Sequence, residues 1–264
     1  MQIRRKSAIL SVLAWVGAFA VQAADSKEIN QTVPLNRDGR VYVENFKGSI
    51  TVTTWDRPEV AISVHIDPDG RADSIEMKKV ALTEIRINGS GSSVTIKTDY
   101  DRLSSLRLQE LLTFHDQSLP LAHYTIQMPA TAALEIKDYK SDIHVSDLSS
   151  DLKLNTYKGN VAVAHLDGAA RVETYKGNVQ VEFVRFQKDS RFETYKGDIE
   201  IRMPKDSHFD LDTESGRHGD LNSDFPVTIS AGHSSSGHFS GAVNGGGPTL
   251  RFETYKGSLR LRTT

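Results

Sequence analysis

The sequence predicts an all-β fold, a parallel β-solenoid (a β-helix or β-roll) built from coils of about 18–21 residues. The first observation behind this prediction is a repeated tetrapeptide. Thr-Tyr-Lys-Gly occurs four times, together with three degenerate copies, and the seven copies end at residues 141, 159, 177, 197, 216, 237 and 257. Such regular self-similarity is typical of repeat proteins in which no single unit can bury its apolar face alone.

The second observation is strict alternation of apolar and polar residues around each copy. Phe252 and Thr254 alternate with Glu253 and Tyr255. Period-two alternation indicates a strand with one buried face, and it places Phe252 and Thr254 inside. If the strand continued, Lys256 would enter the core, where an unpaired ammonium is very costly. We therefore expect the chain to turn at Lys-Gly, where glycine adopts backbone angles that residues with a Cβ resist.

Stacking such coils about 4.8 Å apart places equivalent residues above one another in ladders. If the coils stack in chain order, Lys256 resumes a row of lysines after two copies that carry serine. The last coil would then present an open strand edge, which natural proteins usually protect. Arg260 and Arg262 are candidates for that protection.

The N-terminal residues predict export. A basic stretch is followed by an apolar run over residues 8–21 and by small residues before Ala24, so residues 1–23 are expected to be a cleaved signal peptide. The apolar run is too short to span a bilayer, and we expect no transmembrane segment in the mature chain. The predicted location is therefore periplasmic or secreted.

The mature chain is expected to contain two regions. Residues 24–130 form an N-terminal β region with an insertion at about 100–120, and residues 131–264 form the repeat solenoid. Phe46-Lys47-Gly48 looks like an early copy with phenylalanine in the tyrosine position. A short helix is expected from Asp73 to Lys79, capped by Asp73 or Ser74.

Charge and composition exclude several functions. Of the 32 Lys and Arg residues, three lie in the signal peptide, whereas all 34 Asp and Glu residues follow it, so the mature chain carries about −5. This balance argues against nucleic-acid binding, which favours a strongly basic domain. The chain has no cysteine, and therefore neither disulfides nor thiolate metal sites.

At these repeats the chain resembles the bacterial putative-adhesin family of β-strand-repeat proteins, a domain of unknown function. That family repeats an apolar strand, Thr-x-Ser-Gly-Asp and a second apolar strand, which Thr194–Ile199 and Thr213–Gly216 resemble, as does Asn244–Thr254. The resemblance covers residues 40–264 and implies an exported β-solenoid associated with the envelope, without implying an activity. This chain differs in placing Tyr-Lys where serine is usual.

The candidate binding residues are the paired aromatic and cationic residues of four copies. They are Tyr139, Lys140, Tyr157, Lys158, Tyr175, Lys176, Tyr195 and Lys196. One interpretation is structural, with the tyrosines stacking to stiffen the stem. The other is a binding strip, since an aromatic face beside a charge suits an acidic sugar. Like charges about 5 Å apart repel, and Glu173, Glu193 and Glu253 are expected to relieve the lysines.

Two function classes follow from this sequence. The first is a non-catalytic, adhesin-like binding or scaffolding protein, whose partner is an anionic envelope polysaccharide or another envelope protein. The second is a polysaccharide-processing enzyme, which clustered carboxylates in a cleft would favour over a flat Tyr-Lys strip. No spacing indicates a second catalytic carboxylate, a cofactor motif or a metal site, and the histidines near the C-terminus fit no ligand pattern.

Overall fold

The computed structural model describes residues 26–103, 118–229 and 238–264, without the side chains of 216–219 and 229. The predicted signal peptide, most of the predicted insertion and the copy that ends at residue 237 lie outside these residues. About two thirds of the described residues lie in strands, and the all-β prediction is confirmed. Helix α1 spans Ser74–Leu82, and a 3-10 turn spans Asp101–Leu103.

The first eight strands include the N-terminal region and the first copy of the repeat. They are β1 (Lys27–Pro34), β2 (Arg40–Glu44), β3 (Lys47–Trp55), β4 (Glu59–Asp67), β5 (Glu84–Ser90), β6 (Ser93–Asp99), β7 (Leu121–Pro129) and β8 (Ala133–Ser146).

The other ten strands carry the remaining copies. They are β9 (Leu152–Lys158), β10 (Val161–Leu166), β11 (Ala170–Lys176), β12 (Val179–Phe183), β13 (Ser190–Lys196), β14 (Ile199–Met203), β15 (Phe209–Ser223), β16 (Val227–Ile229), β17 (His238–Val243) and β18 (Thr249–Thr263).

Parallel pairing joins the copies of the repeat on both sides of the Lys-Gly corner. Before the corner the order is β6, β2, β8, β9, β11, β13, β18, β15. After the corner the order is β7, β3, β8, β10, β12, β14, β18, β15, with long strands β8, β15 and β18 contributing to both sides. The five coils that carry a Tyr-Lys pair therefore place these pairs directly over one another.

The expectation that the copies stack in chain order is wrong at the C-terminal end. Strand β18 pairs with β13 and β14 on one side and with β15 on the other, so the last strand of the chain lies inside the stack. Arg260 and Arg262 do not protect an open edge. The guanidinium of Arg260 lies 2.8 Å from Asp198, and that of Arg262 lies 3.1 Å from Asp224.

Antiparallel strands cover both ends of the parallel stack. At the N-terminal end β4 pairs antiparallel with β7 and with β1, and β5 pairs antiparallel with β6. At the other end β17 pairs antiparallel with β15 and with β16. A parallel sheet that stopped without such strands would leave its outermost N–H and C=O groups available for aggregation.

The core lies between the two sides of each coil and is built from the inward residues that the alternation predicted. Phe252, Leu259 and Leu261 are almost fully buried, and so are their equivalents in β13 and β14, which are Phe192, Ile199 and Ile201. Thr254 is buried, whereas Tyr255 is exposed, as parity required. The predicted helix is also present, because the Asp73 carboxylate accepts from the first free amides of α1 at 2.9 Å.

Candidate functional site

Six aromatic rings form one continuous stack along the outside of the coils. Successive ring centroids are 4.6–5.0 Å apart, and the planes differ by 9° or less. We call this stack the ring ladder; its members are Phe46, Tyr139, Tyr157, Tyr175, Tyr195 and Tyr255. Tyr100 contacts the Phe46 ring edge-on at 6.3 Å.

Each ring of the ladder covers the face of the next, so an inner tyrosine offers only its edge and hydroxyl to solvent. Tyr175, for example, lies between Tyr157 at 4.8 Å and Tyr195 at 4.7 Å. A sugar ring that stacks on an aromatic needs an open face. The expectation that these faces act together with the lysines on a sugar ring is therefore wrong for Tyr139, Tyr157, Tyr175 and Tyr195.

A row of lysines runs beside the ring ladder, one per coil. We call it the lysine row, and its members are in direct strand register: Lys140, Lys158, Lys176, Lys196 and Lys256. In the last four, Nζ lies 5.1–5.8 Å from the centroid of the preceding tyrosine, so each ammonium group stays beside its own ring. Lys47 continues the register but pairs with the Asp69 carboxylate.

The lysine row has no counterions within the described part of the chain. None of its five ammonium groups forms an ion pair there. The expectation that Glu173, Glu193 and Glu253 relieve it is wrong, because these carboxylates pair with arginines on their far side. Arg171 lies 3.1 Å from Glu173, and Arg191 bridges Glu193 at 3.2 Å and Glu253 at 2.9 Å.

A groove of about 720 Å³ runs along the flank of the ring ladder opposite the lysines. The tyrosine edges form one wall and buried threonines contribute to the lining. The other wall is what we call the glutamate row, in direct strand register: Glu173, Glu193, Glu253 and Glu214. The ladder thus has unpaired cations on one flank and, on the other, carboxylates of which Glu173, Glu193 and Glu253 are paired with arginines.

Glycines at the corner hold the ladders in register. Gly159, Gly177 and Gly197 have φ angles of 124°, 142° and 139°, in the region that disfavours a Cβ. A Cβ on Gly177 would lie 1.8 Å from the carbonyl oxygen of Gly159. The coils therefore approach too closely here for any other residue, which confirms the predicted role of glycine at the turn.

Side chains just after the corner tie each coil to the next. The amide N–H of Asn160 donates to Asp142 Oδ1 at 2.9 Å, that of Asn178 to Asn160 Oδ1 at 3.3 Å, and that of Asp198 to Asn178 Oδ1 at 3.1 Å. These bonds satisfy backbone donors that the turn would otherwise leave free.

Asp138 is a buried carboxyl group behind the first tyrosine of the repeat. Burial raises its pKa to about 6, although hydrogen bonds from Ser141 and Thr156 oppose the shift. Its oxygens accept from Ser141 Oγ at 2.6 Å, Ser141 N at 2.7 Å and Thr156 Oγ1 at 3.0 Å. Because these internal donors occupy it and only 7% of the residue is exposed, Asp138 acts as a structural group.

The structure brings all eight sequence-predicted residues together in one strip, formed by the ring ladder and the lysine row. It adds Tyr255 and Lys256, which pair directly with Tyr195 and Lys196 once β18 is placed beside β13. It also adds Phe46, whose Phe-Lys-Gly sequence had already marked it as an outlying copy. The Tyr-Lys-Gly or Phe-Lys-Gly sequence around each of these three residues could have identified them. What the sequence did not show is which copies lie next to one another in the stack.

The described residues contain no group of three or more His, Cys, Asp or Glu side chains able to hold a metal ion. No helix in the same residues is both long and apolar enough to cross a membrane.

A family model described as Toastrack DUF4097 matches residues 9–262. This match confirms the resemblance to a putative-adhesin family of unknown function that the repeats indicated. No curated protein matches the chain.

Solved structures of low identity are similar to the chain over most of its length. A putative cell adhesion protein from Clostridium sporogenes is 12% identical, with 90% of this chain and 100% of that chain covered and a TM-score of 0.47. A putative adhesin from Bacteroides fragilis is 14% identical, with 90% and 97% covered and a TM-score of 0.42. A putative lipid binding protein from Parabacteroides distasonis is 10% identical, with 89% and 96% covered and a TM-score of 0.33.

Proposed function

The chain belongs to the Toastrack DUF4097 family, a domain of unknown function, and from that premise we propose that it is an exported, non-catalytic, adhesin-like envelope protein that binds an extended anionic polymer along the strip. Its scaffold is a β-solenoid with coils of about 18–21 residues, which holds the strip rigid. Residues 1–23 are removed on export, so that intact-mass measurement of protein from the envelope should give a chain starting at Ala24.

The observation that carries this proposal is the unpaired lysine row. Five ammonium groups stand one coil apart with no carboxylate beside them, an arrangement that repels itself and costs stability. A stem needs only the stacked rings for stiffness, and in β15 the residue in register with Lys256 is His218 rather than a lysine. A polyanion laid along the row supplies the missing counterions.

The charges of the neighbouring rows also favour binding of the polymer over the lysines. The arginine groups on the far side of the glutamate row are equally regular, but they are neutralised by Glu173, Glu193 and Glu253. Of these two cationic rows, the lysine row is therefore the one whose charge is left for a ligand. Each exposed charge contact contributes at most about 1 kcal/mol, but five in register on one rigid stem add to useful avidity.

A polysaccharide-processing enzyme remains the alternative and has weaker support. The glutamates lining the groove are mostly engaged by arginines, and the carboxyl group with the raised pKa is occupied by internal hydrogen bonds. Catalysis on a glycoside needs two carboxyl groups free to reach the substrate.

The test replaces all five residues of the lysine row with serine and measures binding to linear polyanions, both in solution and as fibres. Affinity should fall at least about tenfold, and the salt dependence of binding should fall with it. The control variant removes the same charge elsewhere, at exposed lysines outside the strip: Lys78, Lys97, Lys153, Lys188 and Lys205. Equal affinity of both variants, or no binding of any polyanion by the wild type, would overturn the proposal.

A further inference from the structure

The spacing of the strip is that of hydrogen-bonded strands. Ring centroids from Tyr139 to Tyr255 recur every 4.7–5.0 Å, and each lysine of the row belongs to the same coils. This distance is set by backbone hydrogen bonding between stacked strands. A cross-β fibre is built on the same bond, and identical side chains recur along it at the same spacing.

We propose that the strip docks onto a parallel, in-register cross-β fibre of another protein that carries a row of acidic side chains. This inference rests on the proposed function and names the anionic polymer. Both surfaces carry one charged side chain per strand. An ion pair formed at one lysine therefore brings the next lysine opposite the next carboxylate. All five pairs then form without distortion of either partner.

The rigidity of both partners favours a fibre over a flexible chain. Binding a flexible polyanion in register requires each repeat to be ordered, which costs conformational entropy. The strip itself is already ordered, because the rings stack within 9° of parallel and the corner glycines leave no room for slippage. A fibre brings its carboxylates already fixed at the matching spacing.

The closed ring faces also favour a fibre over a polysaccharide. Inner tyrosines offer edges and hydroxyl groups, and among the described residues the hydroxyls of Tyr157, Tyr175 and Tyr195 have no hydrogen-bond partner. These hydroxyls can donate to the same carboxylates that face the lysines. A sugar ring would find none of the open inner faces on which it stacks.

Charge on the two flanks sets the lateral position of the fibre. On the far side of the ring ladder the glutamate row would repel an acidic surface, although arginines partly neutralise it. The acidic row of the fibre therefore lies over the lysines with the tyrosine edges beside it. A single row of contact is sufficient, because avidity grows with the number of coils engaged.

The experiment uses fibres of a short peptide that places one glutamate per chain on the solvent face in parallel register. The matched control fibre has glutamine in its place, and soluble polyglutamate and polygalacturonate supply the same charge without the fixed lattice. Cosedimentation and surface binding are measured for the full mature chain and for the variant with serine at all five positions of the lysine row. Circular dichroism of both proteins verifies that the variant is folded.

We expect the wild type to bind the glutamate fibre at least about tenfold more tightly, per carboxylate, than either soluble polymer, and not to bind the glutamine fibre. The variant should lose this difference. If a soluble polymer binds as tightly as the fibre and depends equally on the lysine row, the fibre is not the partner and the proposed function stands. If neither soluble polymers nor fibres bind, both proposals fail. Binding to the glutamine fibre, or binding that survives in the variant, also overturns the inference.

Discussion

Gly177 shows how a single glycine permits the turn of its coil and its close contact with the preceding coil. Its φ of 142° and its contact with the carbonyl oxygen of Gly159 are two separate reasons why a side chain is excluded. The sequence predicted the first reason, since the strand had to turn before Lys176 entered the core. The second reason depends on the neighbouring coil and could not be predicted without knowing how the coils stack.

Replacing Gly177 with alanine should destabilise the protein by at least about 3 kcal/mol, because backbone strain and a clash with the carbonyl add together. Gly245 is a matched control, with a φ of 93° and nothing within 4 Å of its hypothetical Cβ. Gly245→Ala should cost only about 1–2 kcal/mol, the strain alone. Urea denaturation measures both changes; equal losses would show that close approach at the corner is unimportant.

The raised pKa of the Asp138 carboxyl group implies that the stability of the protein depends on pH. Its pKa is raised by burial from an ordinary 3.8 to about 6 in the folded protein, so the folded state holds a proton that the unfolded state has lost. The contribution of this carboxyl group to stability is therefore most favourable below about pH 4, decreases as the pH rises to about 6, and does not change further above that. The contribution is roughly 3 kcal/mol.

Asp138→Asn should remove this contribution, because the amide is neutral throughout the range and can retain contacts with Ser141 and Thr156. The free energy of unfolding, measured from pH 4 to pH 7 for both proteins, should differ by a pH-dependent amount that grows in favour of the variant as the pH rises. A constant difference would mean that the carboxyl titrates normally. The sequence did not reveal this residue, since Asp138-Tyr139-Lys140-Ser141 looked like a degenerate copy with aspartate in the threonine position.

At the scale of a structural element, the ring ladder follows directly from the repeat. Once successive copies pair in parallel register, tyrosines at equivalent positions must lie one strand spacing apart, which is close to the stacking distance of aromatic rings. The sequence therefore predicted the stack and the lysine row beside it. It did not predict the counterions, because Glu173 can pair with Arg171 two residues before it on the same strand instead of with a lysine, and the alternation does not say which pair forms.

Tyr175→Ala should destabilise the protein by about 2–3 kcal/mol, because it removes a ring that stacks on both sides and leaves a gap in the ladder. Tyr175→Phe is the control: its ring is retained, and the hydroxyl it lacks forms no hydrogen bond among the described residues. Its stability should lie within about 0.5 kcal/mol of the wild type. Thermal and chemical denaturation compare the three proteins; a large loss in the phenylalanine variant would mean that the hydroxyl stabilises the fold.

The whole molecule departs from the simple column that the repeats suggest. Copies ending at residues 197 and 257 are neighbours although 60 residues separate them, and the intervening chain forms β15 and its antiparallel partners beyond β18. The copies at 197, 216 and 257 all satisfy the same alternation, and a shared period does not say which copy pairs with which. The stacking order depends on packing: Phe252 of β18 continues the buried row of Phe192, whereas the corresponding position of β15 is Thr213.

The position of β18 leads to a prediction about the C-terminus. If the last strand were an outer coil, removing residues 249–264 would shorten the stack and leave the remaining coils intact. Because β18 lies between β13 and β15, its removal uncovers both, and four almost fully buried apolar side chains are lost with it: Leu250, Phe252, Leu259 and Leu261. Hydrogen exchange of the truncated protein should therefore increase both in residues 190–203 and in residues 209–223. Unchanged exchange in both segments would show that β18 is not an inner strand of the stack.

A point variant of the same strand provides a milder test. Leu259→Ala should cost about 2–5 kcal/mol of stability, whereas Arg260→Ala on the outer face of β18 should cost less than about 1 kcal/mol.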